Sequence, residues 1–186
     1  DSSFRLFHRR PFDDVDILLR SGTSFLAFED TGKTFPTLDT KASLVYASAD
    51  LAEELEQLYH EVYLCTSGLS LLMLARAFEL TLEAGLDRVL WSLVDQRRAR
   101  LRAALVGTGL HAAPEGLHSV IGLEWLAFDA AHLRDEDIRW QLEDLGVAAL
   151  TGRQFYWDSQ DQPDRQRRIR LSLMKPAPRF EAALRR

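Results

Sequence analysis

The middle of the chain is patterned for helix. Leu51, Leu55, Leu58 and Val62 follow one another at spacings of three and four, which lines them along a single helical face. Ser67 stands where it can cap the apolar run that follows, and Gly85 stands where it can stop it. A third helical stretch, about residues 86–106, alternates Leu and Val with the arginines between Arg97 and Arg102, whose face is expected to be solvated. Before this block, residues 13–20 read as a short helix ended by Gly22, and 24–28 as a short apolar strand. A polar turn follows, then a second buried strand over 41–48. After it, the pattern predicts a strand over 118–129, a helix over 135–146 with acids in its first turn, and a strand broken at Gly152. A polar loop leads to a strand over 168–174 and to a terminal helix with prolines at its start.

Strands and helices alternate, which points to an α/β or α+β class. The helical block separates an N-terminal piece from a C-terminal strand–helix–strand–strand–helix unit, with the boundary near residue 85. No internal repeat and no low-complexity stretch interrupts the pattern.

Composition narrows the class. At 186 residues the chain has room for one domain or two small ones. With 46% hydrophobic and 27% charged residues it reads as soluble and globular. A net charge of −5 argues against nucleic acid as a partner, which rewards a clustered basic face. No apolar run approaches the roughly 20 residues of a membrane helix, and the first residues do not read as a signal peptide. The single cysteine, Cys65, fits a reducing compartment, so a cytoplasmic location is expected. His111 and His118 stand near Glu115 and Glu124, but no metal-ligand spacing fits, and no metal is expected.

One bias bears on chemistry. Of 23 basic residues, only Lys33, Lys41 and Lys175 are lysines. Where arginine serves for charge, a retained lysine points to a need for its primary amine. Lys33 lies in a Thr-Gly-Lys-Thr turn between two apolar strands, at a sheet edge of the kind where α/β proteins bind ligands. A partly desolvated lysine there can form a Schiff base. The residues alone leave open that Lys33 is an ordinary exposed loop lysine. The triplet Gly32-Lys33-Thr34 is not the end of a P-loop, because no Gly-rich loop precedes it and the residues before it, Glu29 and Asp30, are acidic.

Several stations occur in order. Asp1 opens Asp-Ser-Ser-Phe, with Phe4 three residues on. Glu-Asp-Thr-Gly-Lys ends in Lys33, and Lys41 follows eight residues later. Leu145-Gly146-Val147 leads to Gly152 and Phe155, and Ile-Arg-Leu-Ser places Arg170. This series resembles the class I and II aminotransferases of the aspartate aminotransferase superfamily, which are fold-type I pyridoxal 5'-phosphate (PLP) enzymes. The resemblance spans essentially the whole chain. It implies an α/β architecture: the remainder of a PLP-binding large domain over residues 1–84, and a smaller α+β C-terminal domain over 85–186. The cofactor it implies is PLP. In the implied roles, Lys33 forms the Schiff base and acts as general base, and Asp1 keeps the pyridine nitrogen protonated. Arg170 binds the α-carboxylate of an amino acid or 2-oxo acid in a bidentate fork. Phe4, Thr31 and Lys41 fall at cofactor-binding positions. The family also implies a homodimer.

The departures are specific. Phe4 stands where a tyrosine hydroxyl would meet the cofactor's ring oxygen. Asp30 stands where a phosphate-binding serine is usual, so Thr31 becomes the nearest hydroxyl. Lys41 replaces a bidentate arginine with a point charge. The parts of the family's site that precede Asp1 are not in the sequence, so it is expected to be a fragment or the second segment of a longer protein, holding PLP weakly alone. Aminotransfer is the function this implies. Another PLP reaction on an amino acid (lyase, decarboxylase, cyclase or oxidase) and a non-catalytic, aminotransferase-like binding or regulatory domain stand as alternatives.

Overall fold

A computed structural model describes residues 4–9, 13–35, 42–62, 65–155 and 167–186. The chain divides into two compact units, residues 1–91 and 92–186.

In the first unit, helix α1 spans Asp14–Ser21. The Asp13 carboxylate caps it by accepting from the Asp16 N–H at 3.0 Å, and it stops at Gly22, whose φ of 67° is the left-handed region glycine adopts without strain. Strands β1 (Leu26–Asp30) and β2 (Ser43–Ala47) pair antiparallel, Leu26 opposite Ala47 and Asp30 opposite Ser43. The first strand starts two residues later than its apolar pattern predicts. The preceding Ser24 and Phe25 are drawn off to the start of the next helix: Ser24 Oγ donates to Asp50 at 2.5 Å, and the Phe25 N–H donates to Ser48 Oγ at 3.0 Å.

The second strand was expected to be buried, and it is not. Val45 is 46% exposed, as is Phe28 opposite it at 48%. A two-stranded sheet covers only one of its faces here, and Ala27 and Glu29 occupy that face. Helices α2 (Ala49–Val62) and α3 (Gly68–Ala84) follow. Ser67 caps the latter through the Ser70 N–H, and Gly85 ends it, as the pattern predicts. Phe78 meets Phe35 edge-on, ring centroids 5.0 Å apart. The unit ends in one wide π-turn over Asp87–Trp91, where the Trp91 indole donates to the Leu6 carbonyl at 2.8 Å.

The second unit holds a four-stranded antiparallel sheet in the order β3-β4-β6-β5, formed by Leu110–Ala112, Leu123–Phe128, Arg168–Ser172 and Leu150–Thr151 respectively. Helices α4 (Ser92–Ala104), α5 (Asp135–Asp144) and α6 (Ala177–Leu184) complete it. The core is Leu126, Phe128, Ile138, Ala149 and Ile169, with Leu105, Leu110 and Leu142 packed around it. The α/β class expected from the sequence is observed, and both sheets are antiparallel.

The arginine run is solvated only in part: Arg100 is exposed, but the expected wet face does not hold at the others. Arg97 and Arg98 are buried. Arg97 Nη1 donates to the carbonyls of Leu173 at 2.6 Å and Lys175 at 2.8 Å, and its guanidinium lies 5.1 Å from the Phe180 ring centre. Arg98 and Arg102 both donate to the buried carboxylate of Glu124. Guanidinium has five donors, enough to satisfy carbonyl oxygens and a carboxylate together, and this turns a stripe that reads as polar into the inner face of α4. Among the described residues, no helix is long and apolar enough to cross a membrane.

Candidate active site

The candidate residues fall in both units. Phe4, Thr31 and Lys33 belong to the first, Arg170 to the second; Asp1 and Lys41 lie outside the described residues.

Lys33 sits where the end of β1 turns. Asp30 closes the strand, and Thr31–Lys33 form a single 3-10 turn. The Asp30 carboxylate works in two directions. Its Oδ1 accepts from the Gly32 N–H at 2.9 Å and caps the turn, while its Oδ2 takes the Lys33 ammonium at 2.9 Å. Lys33 is 46% exposed and Asp30 39%, so the amine is accessible from solvent with a proton acceptor beside it. The acid that replaces a phosphate-binding serine in the resemblance therefore faces the lysine.

Thr31 is turned the other way. It is 2% exposed, and its hydroxyl donates to the Ala42 carbonyl at 2.6 Å, across the gap between β1 and β2. In this arrangement its proton is already committed, as is the Gly32 N–H, so neither donor is free for a phosphate.

Phe4 packs its ring against that of Phe7, centroids 5.9 Å apart, next to a segment tied to the same strand. Arg5 Nη2 donates to Glu29 at 2.8 Å, and Asp14 lies 3.4 Å from Arg5 Nε. Burial works against the Arg5 charge, but the hydrogen bond to Glu29 and the nearby acids outweigh it and raise the group above its ordinary value. Burial, and then the Glu29 charge, push the Tyr46 phenol up in the same cluster. The tie brings the residues after Phe4 to the strand that ends at Asp30, just before the Lys33 turn.

In the second unit, Arg170 lies on β6 with Trp125 of β4 directly opposite on one side and Leu150 of β5 on the other. Its guanidinium carbon lies 4.0 Å from the centre of the Phe155 ring. Phe155 in turn meets Trp125 edge-on, 5.3 Å between centroids at an interplanar angle of 84°. Burial lowers the Arg170 guanidinium from its ordinary value, with no carboxylate among the described residues to offset it. Arg168, two residues earlier on the same face, differs: its Nε donates to Glu115 at 2.6 Å.

The sequence pattern did not single out Phe155, Trp125 or Glu115 as site residues. Phe155 was visible as the end of the Gly-Val-to-Phe segment in the resemblance. No spacing signal marks Glu115 or Trp125, because only strand pairing brings them to Arg170 and Arg168.

The described residues fit part of a PLP site. An accessible primary amine with an adjacent proton acceptor suits attachment of the aldehyde, and a half-buried arginine without a counter-ion suits a carboxylate. The Lys33 turn does not itself supply the donors for a phosphate.

No family model matches the chain, and no curated protein matches it. Solved structures do. MppP, studied with its product 2-ketoarginine, is similar at 29% identity and a TM-score of 0.78, over 98% of this chain and 50% of that one. YbdL from Escherichia coli, described as having a methionine aminotransferase function, is similar at 20% identity and a TM-score of 0.74, over 98% and 47%. The α-aminoadipate aminotransferase LysN from Thermus thermophilus is similar at 16% identity and a TM-score of 0.69, over 98% and 48%. At the two lower identities the likeness carries the fold alone. The chain therefore has the fold of the fold-type I PLP-dependent aminotransferases among these structures, and it spans about half the length of the solved structures it matches.

Proposed function

We propose that this chain carries the lysine and the carboxylate-binding arginine of a PLP-dependent aminotransferase that moves an amino group between an α-amino acid and a 2-oxo acid. The observation that carries this is the Lys33 amine, half-exposed at the end of β1 with a carboxylate 2.9 Å away. PLP, when bound, supplies an electron-poor ring that accepts the electron pair left at the substrate α-carbon.

The chain's own residues would do the rest. Lys33 must leave Asp30 and lose a proton before its nitrogen can bond a carbonyl carbon, and the Asp30 carboxylate is placed to receive that proton. The unprotonated Lys33 amine would be the base that takes the α-proton and returns it. Arg170 would bind the α-carboxylate of the amino acid or 2-oxo acid, in keeping with the resemblance. Asp1 would hold the pyridine nitrogen, and Lys41 the phosphate, in keeping with the resemblance. Phe4 offers a ring without a hydroxyl, so it can pack against the cofactor but cannot hydrogen-bond to it.

A second reading is oxidative deamination. The product named for MppP is a 2-oxo acid, which both reactions yield, and the missing Phe4 hydroxyl changes the surroundings of the ring oxygen. Transfer to a 2-oxo acid acceptor marks aminotransfer; release of ammonia with oxygen uptake marks oxidation. A cytoplasmic homodimer is part of this proposal; the exposed Leu69, Leu71, Leu72 and Leu82 on α3 support self-association, which sedimentation would read.

The test is the visible absorption of the protein loaded with PLP. A band that borohydride bleaches is expected in the wild type and absent in Lys33→Ala. Arg170→Ala should keep the band and weaken amino-acid binding. A bleachable band that survives in Lys33→Ala defeats the assignment.

A further inference from the structure

Within residues 92–186 one strand presents two arginines to the same sheet face, and the fold treats them differently. Arg168 is neutralised by Glu115 at 2.6 Å. Arg170 has no acid to offset it among the described residues, and burial disfavours its charge. What it has is an aromatic ring. Gly152 is buried, and the single turn Gly152–Phe155 after β5 carries Phe155 back over the sheet, its ring centre 4.0 Å from the Arg170 guanidinium carbon. Trp125, the residue opposite Arg170 on β4, meets that ring edge-on at 5.3 Å.

The geometry points to Phe155 as a positioning residue that fixes the Arg170 guanidinium for a bidentate carboxylate, with Trp125 fixing Phe155. A guanidinium has two functional surfaces. Its flat face is attracted to the negative face of an aromatic ring, and its edge carries the N–H donors. Stacking one face on Phe155 leaves the edge free and restricts its rotation. Two parallel N–H groups can then meet both oxygens of a carboxylate without first ordering a flexible side chain. An acid in place of the ring would occupy the same donors that a substrate needs, as Glu115 does for Arg168. The aromatic ring holds the cation without taking up its hydrogen bonds. This inference rests on the proposed role of Arg170 and deepens it: the ligand class is a 2-oxo or 2-amino carboxylate, recognised through a carboxylate fork on an aromatic platform.

Phe155 is 40% exposed, so replacing it should leave the unit folded, which a thermal melt checks. The probes are pyruvate and 2-ketoarginine, titrated calorimetrically into the cofactor-free protein. Phe155→Leu keeps apolar bulk and removes the π face, and the dissociation constant should rise about tenfold, the scale of a partly desolvated cation–π contact. Phe155→Tyr restores a ring and should bind as the wild type does. In the PLP-loaded protein the same Leu variant should keep the bleachable band and raise KM more than it lowers kcat. The idea is overturned if Phe155→Leu binds as tightly as wild type, if Phe155→Tyr is as weak as Phe155→Leu, or if the wild type binds neither probe. A bleachable band that survives in Lys33→Ala, with these affinities behaving as expected, would defeat the lysine assignment and leave Phe155 standing. The reverse result would do the opposite.

Discussion

Glu124 accepts a hydrogen bond from Arg98 at 2.7 Å in the interior of residues 92–186, where the carboxylate is 0% exposed and the guanidinium 8%. Arg102 donates to the other carboxylate oxygen, and Arg98 also reaches the carbonyls of Ile121 and Leu123. One acid therefore ties α4 to β4 and to the turn before it. The charge is satisfied from both sides, which is the condition for keeping an ion pair in a core.

Removing Glu124 leaves Arg98 buried with no opposite charge. Glu124→Leu is expected to cost about 3–5 kcal/mol, while the double variant Glu124→Leu, Arg98→Met should recover much of it. Urea denaturation of the three proteins measures both terms. A single-variant loss below about 1 kcal/mol would show that the network contributes little to the fold.

Thr31 holds the Lys33 turn from below. Thr31→Val removes the hydroxyl that donates to Ala42 and leaves that carbonyl short of a donor, at a cost of about 1–3 kcal/mol; Thr31→Ser should restore most of it. If Thr31 serves a phosphate rather than the turn, PLP affinity should fall in the Val variant with stability unchanged. A melting curve beside a PLP titration separates the two.

Asp30 faces the amine with a full negative charge. Asp30→Asn keeps the cap on Gly32 and removes the charge that would oppose a phosphate dianion. PLP should bind a few-fold more tightly to the variant, and the gap should narrow at high salt, where screening weakens charge effects at exposed sites. Equal affinity at both salt concentrations would mean that the phosphate sits out of reach of Asp30.

Asp135 provides a pH test. It is 2% exposed, and burial raises its carboxyl above the ordinary range despite the Arg153 N–H at 3.2 Å and the Arg153 charge. A raised folded-state value means that the folded protein binds the proton more readily than the unfolded chain. Its contribution to stability is therefore full below the unfolded value of about 3.9 and is lost as pH rises through the folded value. Asp135→Asn should be flatter over that range, so wild type should lose stability relative to the variant as pH rises from about 4. A pH-independent difference between the two would remove Asp135 as a source of the dependence.

Local chemistry was legible in the sequence. The cap at Ser67 and the stops at Gly22 and Gly85 act within one turn of the backbone, so their residue types announced them, while the Asp13 cap reads in the sequence as the first residue of its helix. So did the Lys33 turn, because a lysine between two strands can be read without knowing what surrounds it. The exposure of β2 could not be read that way: its apolar residues look buried in one dimension, and burial depends on which elements lie across the sheet. The arginines of α4 misled for the same reason. Their pattern is that of a wet face, and only Glu124 and the carbonyls of Leu173 and Lys175, all from distant stretches of chain, make it an inner one.

By itself, the sequence determined the helix ends, the alternation of strands and helices, and the placing of a primary amine on a turn and an arginine on a strand. Those follow from contacts between neighbours along the chain. The tertiary structure alone decided that Asp30 takes the ammonium of Lys33, that Thr31 points inward, and that Arg170 rests on Phe155 while Arg168 is neutralised by Glu115. Apart from the Asp30 salt bridge, whose direction a spacing of three leaves open, each is a choice among donors and acceptors far apart in sequence. Such choices are settled by strand register and burial.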